Sequence, residues 1–195
     1  MLSLTVVIGA WCVARHGPLL LPIGALGVAL VLAYTPWINR HPLLCLVAPG
    51  LGVGSLQVLG VVAVLNERLS LLAITAALVP GLLGSSLLLA NQSPDIEADR
   101  AVGRRHLAIA YGRRRARRVF ASLAVATAGV VVMAVTSGVF SPLAWLSLLP
   151  LSAMLPTVIG LARHAAGAAL TPYLASNVAA SLLTPLVLAW ALWRG

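Results

Sequence analysis

Residues 91–118, NQSPDIEADRAVGRRHLAIAYGRRRARR, hold three of the four acidic residues in the chain and eight of its thirteen arginines. Asp95 and Asp99 are four positions apart, so on a helix both carboxylates project from one face, with Cβ atoms about 5–6 Å apart. Asn91 lies one turn further back and can add an amide oxygen to the same face. Like charges placed this way repel unless a cation sits between them. One or two carboxylates, with water and phosphate completing the shell, suit magnesium. Asn91, Asp95 and Asp99 therefore read as half of a magnesium–diphosphate site. Arg100, Arg104 and Arg105 follow directly, the last two beside a turn that Gly103 makes easy, and guanidinium forks match phosphate oxygens. The later run Arg113, Arg114, Arg115, Arg117 and Arg118 directly precedes an apolar segment. It reads as a topology signal and a contact for anionic lipid headgroups.

A plainer reading uses the same residues. Ser93 can cap a helix whose first positions are Pro94 and Asp95, with acids favoured in the first turn. The acids could also simply balance the arginines. Spacing alone leaves both readings open.

The rest of the chain must position this stretch. With 61% hydrophobic and 9% charged residues and a positive mean hydropathy, the composition lies far from soluble proteins, at about 25% charged. This predicts an all-α integral membrane protein with about seven transmembrane helices, over 2–14, 18–38, 43–65, 71–92, 119–136, 142–162 and 172–193. Apolar runs near 20 residues satisfy their own backbone in lipid, and alternating barrel segments are absent. Proline, arginine, histidine or amide residues mark the joints. The chain reads as a single domain, 1–195, with a motif loop at 91–118. Arginines concentrate on the face carrying 39–42, 93–118 and 163–171, which places the motif loop in the cytoplasm and the protein, multi-pass, in the plasma (inner) membrane. The expected partners include membrane lipid and exclude nucleic acid. The first run has thirteen residues, roughly 20 Å, too short for a core about 30 Å thick. It is either re-entrant or the remainder of a longer helix, and length favours the second.

Cys12 and Cys45 lie in apolar runs without CxxC spacing and read as packing residues. His16, His41, His106 and His164 stand at joints, where they are expected to be solvated, with no zinc spacing. GlyLeuGlyValGly, 50–54, contains a GxxxG and reads as a close helix crossing.

The stretch 91–117 resembles the second aspartate motif of the UbiA superfamily of intramembrane prenyltransferases, N-x-x-x-D-x-x-x-D-R-x-x-G-[KR]-[KR]-x-L-A-x-x-x-G-[KR]. With Asn91, Pro94 and His106 placed as they are, it is most similar to the 1,4-dihydroxy-2-naphthoate branch of menaquinone synthesis. AlaTyrThrProTrpIleAsnArgHisPro, 33–42, is similar to the family's tyrosine-containing cytoplasmic loop, and the helix pattern fits the last seven of nine helices. The resemblance implies Mg2+-dependent transfer of a polyprenyl group from its diphosphate to an aromatic acceptor. It implies Asp95 and Asp99 as metal-binding catalytic residues, supported by Asn91. Arg100, Arg104, Arg105 and Arg40 become diphosphate contacts, and Tyr34 an acceptor or loop contact.

The departures are specific. The family's first motif, N-D-x-x-D-x-x-x-D, is missing. Glu67, the only other acid, falls on the opposite face. Asn39 stands near a place often held by lysine, with Arg40 beside it, and His106 replaces a frequent threonine. The expectation is a chain equivalent to the carboxyl two-thirds of such an enzyme, whose half-site binds diphosphate weakly and whose activity alone is in doubt. Other classes stay in view: a non-catalytic remnant or assembly partner; a CDP-alcohol phosphotransferase, whose D-G-x-x-A-R start is absent; and a small transporter, which would place its polar groups at mid-membrane.

Overall fold

The computed structural model describes residues 2–66, 68–163 and 168–195. Glu67 and His164 lie outside the described residues, so the topological reading of Glu67 and the solvation of His164 have no structural counterpart. Every regular element among the described residues is helical, as the composition requires.

Helix α1 spans Leu2–His16 and α2 spans Leu20–Tyr34. Next come α3, Pro42–Asn66, and α4, Leu71–Asn91. Two short helices, α5 (Ile96–Ala101) and α6 (Leu107–Tyr111), form the motif loop. Three long helices complete the chain: α7 (Arg113–Thr136), α8 (Pro142–Arg163) and α9 (Thr171–Arg194). Five of these, α3, α4, α7, α8 and α9, are long and apolar enough to cross a membrane. The first two have 15 residues each, about 22 Å of helix against a core about 30 Å thick. The helix expected over 18–38 is thus shorter than its apolar run. The chain leaves Gly17 at φ +96°, helix begins only at Leu20, and it ends at Tyr34. Thr35 keeps helical dihedrals, but Pro36 has no amide to donate, Trp37 leaves the helical region at φ −133°, and only a short 3-10 turn, Ile38–Arg40, follows.

Helix α4 is central, packed against α3, α7 and α9. Its Val79, Leu83 and Leu89 join Phe120 and Val131 of α7, Met154 of α8 and Leu188 of α9 in one buried core. Outward-facing Val125, Met133, Leu149, Leu155, Leu182 and Leu186 are exposed, a surface that lipid solvates at no cost.

The α3–α4 crossing is the tightest feature that bears on the site. Pro49 removes a backbone donor inside α3, and the following turns, Gly50–Leu56, widen to π geometry. A Cβ on Gly50 would collide with the Gly81 carbonyl oxygen and the Ser85 hydroxyl, and one on Gly54 would lie 2.6 Å from the Gly81 Cα. The Ser55 hydroxyl donates across the same crossing to the Ala77 carbonyl at 2.9 Å. The GxxxG of 50–54 is a packing device, as expected.

Candidate functional site

At one end of the bundle, the last turn of α4 and the loop after it face the 34–45 segment across a cavity of about 210 Å³. One wall carries Asn91, Gln92, Asp95, Asp99, Arg104 and His106; Tyr34, Asn39 and Cys45 form the other, with Leu88 from α4. The arginine count placed the 39–42 joint and the motif loop on the same face, and the two are stitched together here. The Arg105 amide donates to the Asn39 carbonyl at 3.1 Å, and the Gln92 side-chain amide donates to the Cys45 sulfur at 3.4 Å.

The carboxylate wall is built by a change of helix. Asn91 closes α4, residues 92–95 turn, and Asp95 stands at the N-cap position of α5 with no side-chain cap bond. The Asp99 amide donates to the Asp95 carbonyl at 2.8 Å, which keeps the two residues one helical turn apart. The capping reading of Ser93 is overturned. Pro94 and Asp95 sit in the turn, not in the first helical positions, and the Ser93 hydroxyl points back to the Leu89 carbonyl at 3.4 Å.

Asp99 is buried, whereas Asp95 and Asn91 are exposed at the cavity. Gly103, at φ +77°, reverses the chain so that Arg104 returns over α5. Its Nη1 donates to Asp99 Oδ1 at 2.8 Å and its backbone amide to the Asp99 carbonyl at 3.0 Å. His106 Nε2 lies 3.4 Å from Asp99 Oδ2, close enough for a charge contact but without hydrogen-bond geometry, and both ring nitrogens lack a hydrogen-bond partner.

His106 is 1% exposed, so the expectation of a solvated ring fails at this joint. The chain after Gly103 folds inward and Leu107 and Ala108 join the core, carrying the histidine with them. Burial pushes its pKa below the ordinary value; Arg104 adds to this, while Asp99 and Asp95 oppose it. By contrast His41 is exposed and its Nδ1 meets the Trp37 carbonyl oxygen at 2.9 Å, and His16 is half-buried. Cys45 is buried, as its apolar run suggests, and also forms cavity wall; Cys12 is half-buried.

Of the residues singled out in the sequence, Tyr34, Asn91, Asp95, Asp99 and Arg104 share the cavity. Arg40, Arg100 and Arg105 are exposed and do not line it, and Arg100 pairs instead with Glu97 at 3.5 Å. Asn39, Cys45 and His106, noted in the sequence for other reasons, line it too, and Leu88 and Gln92 are additions that only tertiary contact reveals. Among the described residues no group of three or more histidine, cysteine or acidic side chains could hold a metal ion by itself. The two carboxylates and one amide on a shared wall nevertheless fit a hard cation that takes its remaining oxygens from phosphate and water.

A bundle of apolar helices with carboxylates, an amide and a guanidinium gathered at one end defines an integral membrane protein with a polar cavity at the end of its bundle. The sequence model of the UbiA prenyltransferase family matches residues 1–179, and the chain belongs to that family. No curated protein and no solved structure matches it. Members of the family transfer prenyl groups to aromatic acceptors, in general using Mg2+ with diphosphate substrates.

Proposed function

We propose that the chain transfers a polyprenyl group from its diphosphate to an aromatic acceptor, 1,4-dihydroxy-2-naphthoate, in menaquinone synthesis, with Mg2+ as cofactor. One observation carries this reading: Asn91, Asp95, Asp99 and Arg104 line one cavity at the end of an apolar bundle. In this reading Asp95 and Asp99 hold the metal and Asn91 supports them. Bound magnesium supplies neutralisation of the departing diphosphate. Arg104 binds the same phosphates, and Arg40, Arg100 and Arg105 attract the anion from the rim. The allylic carbon–oxygen bond breaks and the electron pair leaves with the diphosphate; a ring carbon of the acceptor bonds to the allylic carbon, and aromaticity returns as the bond from that carbon to its hydrogen or carboxylate breaks, its electron pair going back to the ring and a proton or CO2 departing. Tyr34, on the facing wall, orients the acceptor. Leu88 and the apolar helices house the isoprenoid and keep water from the cation. The arginine pattern supports a cytoplasmic motif loop in the plasma (inner) membrane.

Membranes containing the full chain should transfer label from prenyl diphosphate to dihydroxynaphthoate only when Mg2+ is added, and Asp95→Ala or Asp99→Ala should abolish transfer. Wild-type rates in either variant would overturn the metal assignment. Asp99 is already held by Arg104, which also suits a non-catalytic remnant. Intact, folded chain that neither transfers prenyl groups nor binds pyrophosphate with Mg2+ would favour that second reading.

A further inference from the structure

An imidazole buried to 1% exposure with both nitrogens unpartnered is costly. His106 is held there by its own helix, whose first residues, Leu107 and Ala108, are core. Asp99 Oδ2 lies 3.4 Å from its Nε2. The other oxygen of the same carboxylate, Oδ1, is taken by Arg104 at 2.8 Å. The two oxygens of Asp99 are thus addressed by two different side chains, and these differ in freedom: the Arg104 side chain is 55% exposed and that of His106 only 1%. Arg104 can swing toward an arriving phosphate, whereas the ring is fixed by packing. A spacing of 3.4 Å is long for an N–H···O bond, but hydrogen bonds at ligand-free sites often tighten only once the ligand is in place.

We propose that His106 is a positioning residue: its Nε2 fixes the Asp99 carboxylate in the orientation that presents an oxygen to the cavity when Arg104 moves to phosphate. This rests on the reading of Asp99 as a magnesium ligand. Groups that orient metal-ligating side chains typically cost 10–100-fold in metal affinity or activity when removed.

The test needs no turnover. Full-length chain in detergent is titrated with Mg2+ in the presence of inorganic pyrophosphate, and the thermal midpoint reports saturation. His106→Phe keeps bulk and removes the nitrogen; His106→Gln returns an amide N–H near the place of Nε2; His106→Asn is too short to reach. Half-saturation should move upward about 10–100-fold in His106→Phe and in His106→Asn, and return to within a few-fold of wild type in His106→Gln. Should the phenylalanine variant fail to fold, the glutamine–asparagine pair decides. Unchanged Mg2+ response in the variants, or glutamine no better than asparagine, overturns the positioning role alone. A wild-type chain that shows no Mg2+ response, or an Asp99→Asn chain that keeps it, overturns the metal assignment and the positioning role with it.

Discussion

The same substitution at two glycines, one in the α3–α4 crossing and one on the open face of α7, has opposite expected signs. At Gly54 an added Cβ would lie 2.6 Å from both the Gly81 Cα and the Gly81 nitrogen. Carbon atoms rest about 3.5–4.0 Å apart, so the helices must separate by roughly 1 Å there. A radial gap of that size forfeits about a quarter to a half of each contact well along the crossing. The 2.9 Å bond from Ser55 to the Ala77 carbonyl would stretch with it. Overpacking costs about 1–3 kcal/mol and the hydrogen bond about 1 kcal/mol, offset by about 1 kcal/mol of helix propensity gained on leaving glycine. Gly54→Ala should therefore lose about 1–3 kcal/mol. Gly129, in α7, has nothing within 4 Å of its added Cβ, so only propensity acts and Gly129→Ala should gain between zero and about 1 kcal/mol. Reversible unfolding of the full chain in mixed micelles, with wild type alongside, measures both. Because the crossing sets Cys45 against Gln92, Gly54→Ala should also weaken Mg2+-dependent pyrophosphate binding while Gly129→Ala leaves it intact. Equal stability of the two variants would refute the argument that backbone contact at Gly54 holds this pair of helices together.

Thr184 is fully buried in α9 with its hydroxyl unpartnered; Thr184→Val should cost nothing and can gain up to about 1 kcal/mol by the same unfolding assay, and a loss would show that the hydroxyl has a partner. Burial holds folded His106 below its ordinary pKa of 6.5, so an unfolded chain binds a proton there that the folded chain refuses, and stability is full above that pH and falls as pH drops toward the lower folded value. Thermal midpoints should decline more steeply on acidification in wild type than in His106→Gln, and parallel curves would refute this. In a cysteine-free background, Val102→Cys should react with impermeant maleimide only after the cytoplasmic side is opened and Ser137→Cys from outside, the reverse pattern overturning the orientation. Arg104→Ala should tighten Mg2+ binding up to about fivefold without pyrophosphate, because a half-exposed ion pair is worth only about 0.2–1 kcal/mol. With pyrophosphate it should weaken binding by about tenfold or more, and effects of the same sign would show that Arg104 does not pass from carboxylate to phosphate.

The helices were legible where their signals are local. The run 71–92 becomes Leu71–Asn91, with Ser70 capping the Ala73 amide, and 142–162 becomes Pro142–Arg163. Hydropathy alone overran at 18–38, because it averages across Pro18 and Pro36. Those residues add little polarity to a window yet remove backbone donors at its ends. The GxxxG at 50–54 could be read as a packing surface, but which helix it meets depends on the loop at 66–70, whose reach no periodicity records.

Site residues divide in the same way. The four-residue spacing of Asp95 and Asp99 survives as one helical turn, even though the helix starts later than Ser93 would have it. The arginines that follow could not be ranked from composition, since Arg100, Arg104 and Arg105 look alike in a line of text. Geometry separates them. Arg100 is next to Asp99 on α5 and therefore points about 100° away from it, where Glu97 at i−3 is its natural partner. Arg104 comes after a left-handed glycine, so the chain doubles back and delivers the guanidinium to the carboxylate it has just left. Arg105 spends its backbone amide on Asn39 and keeps its side chain outside the cavity. Gly103 is thus what makes one arginine of three a cavity residue, and the same reversal buries His106 three positions after it.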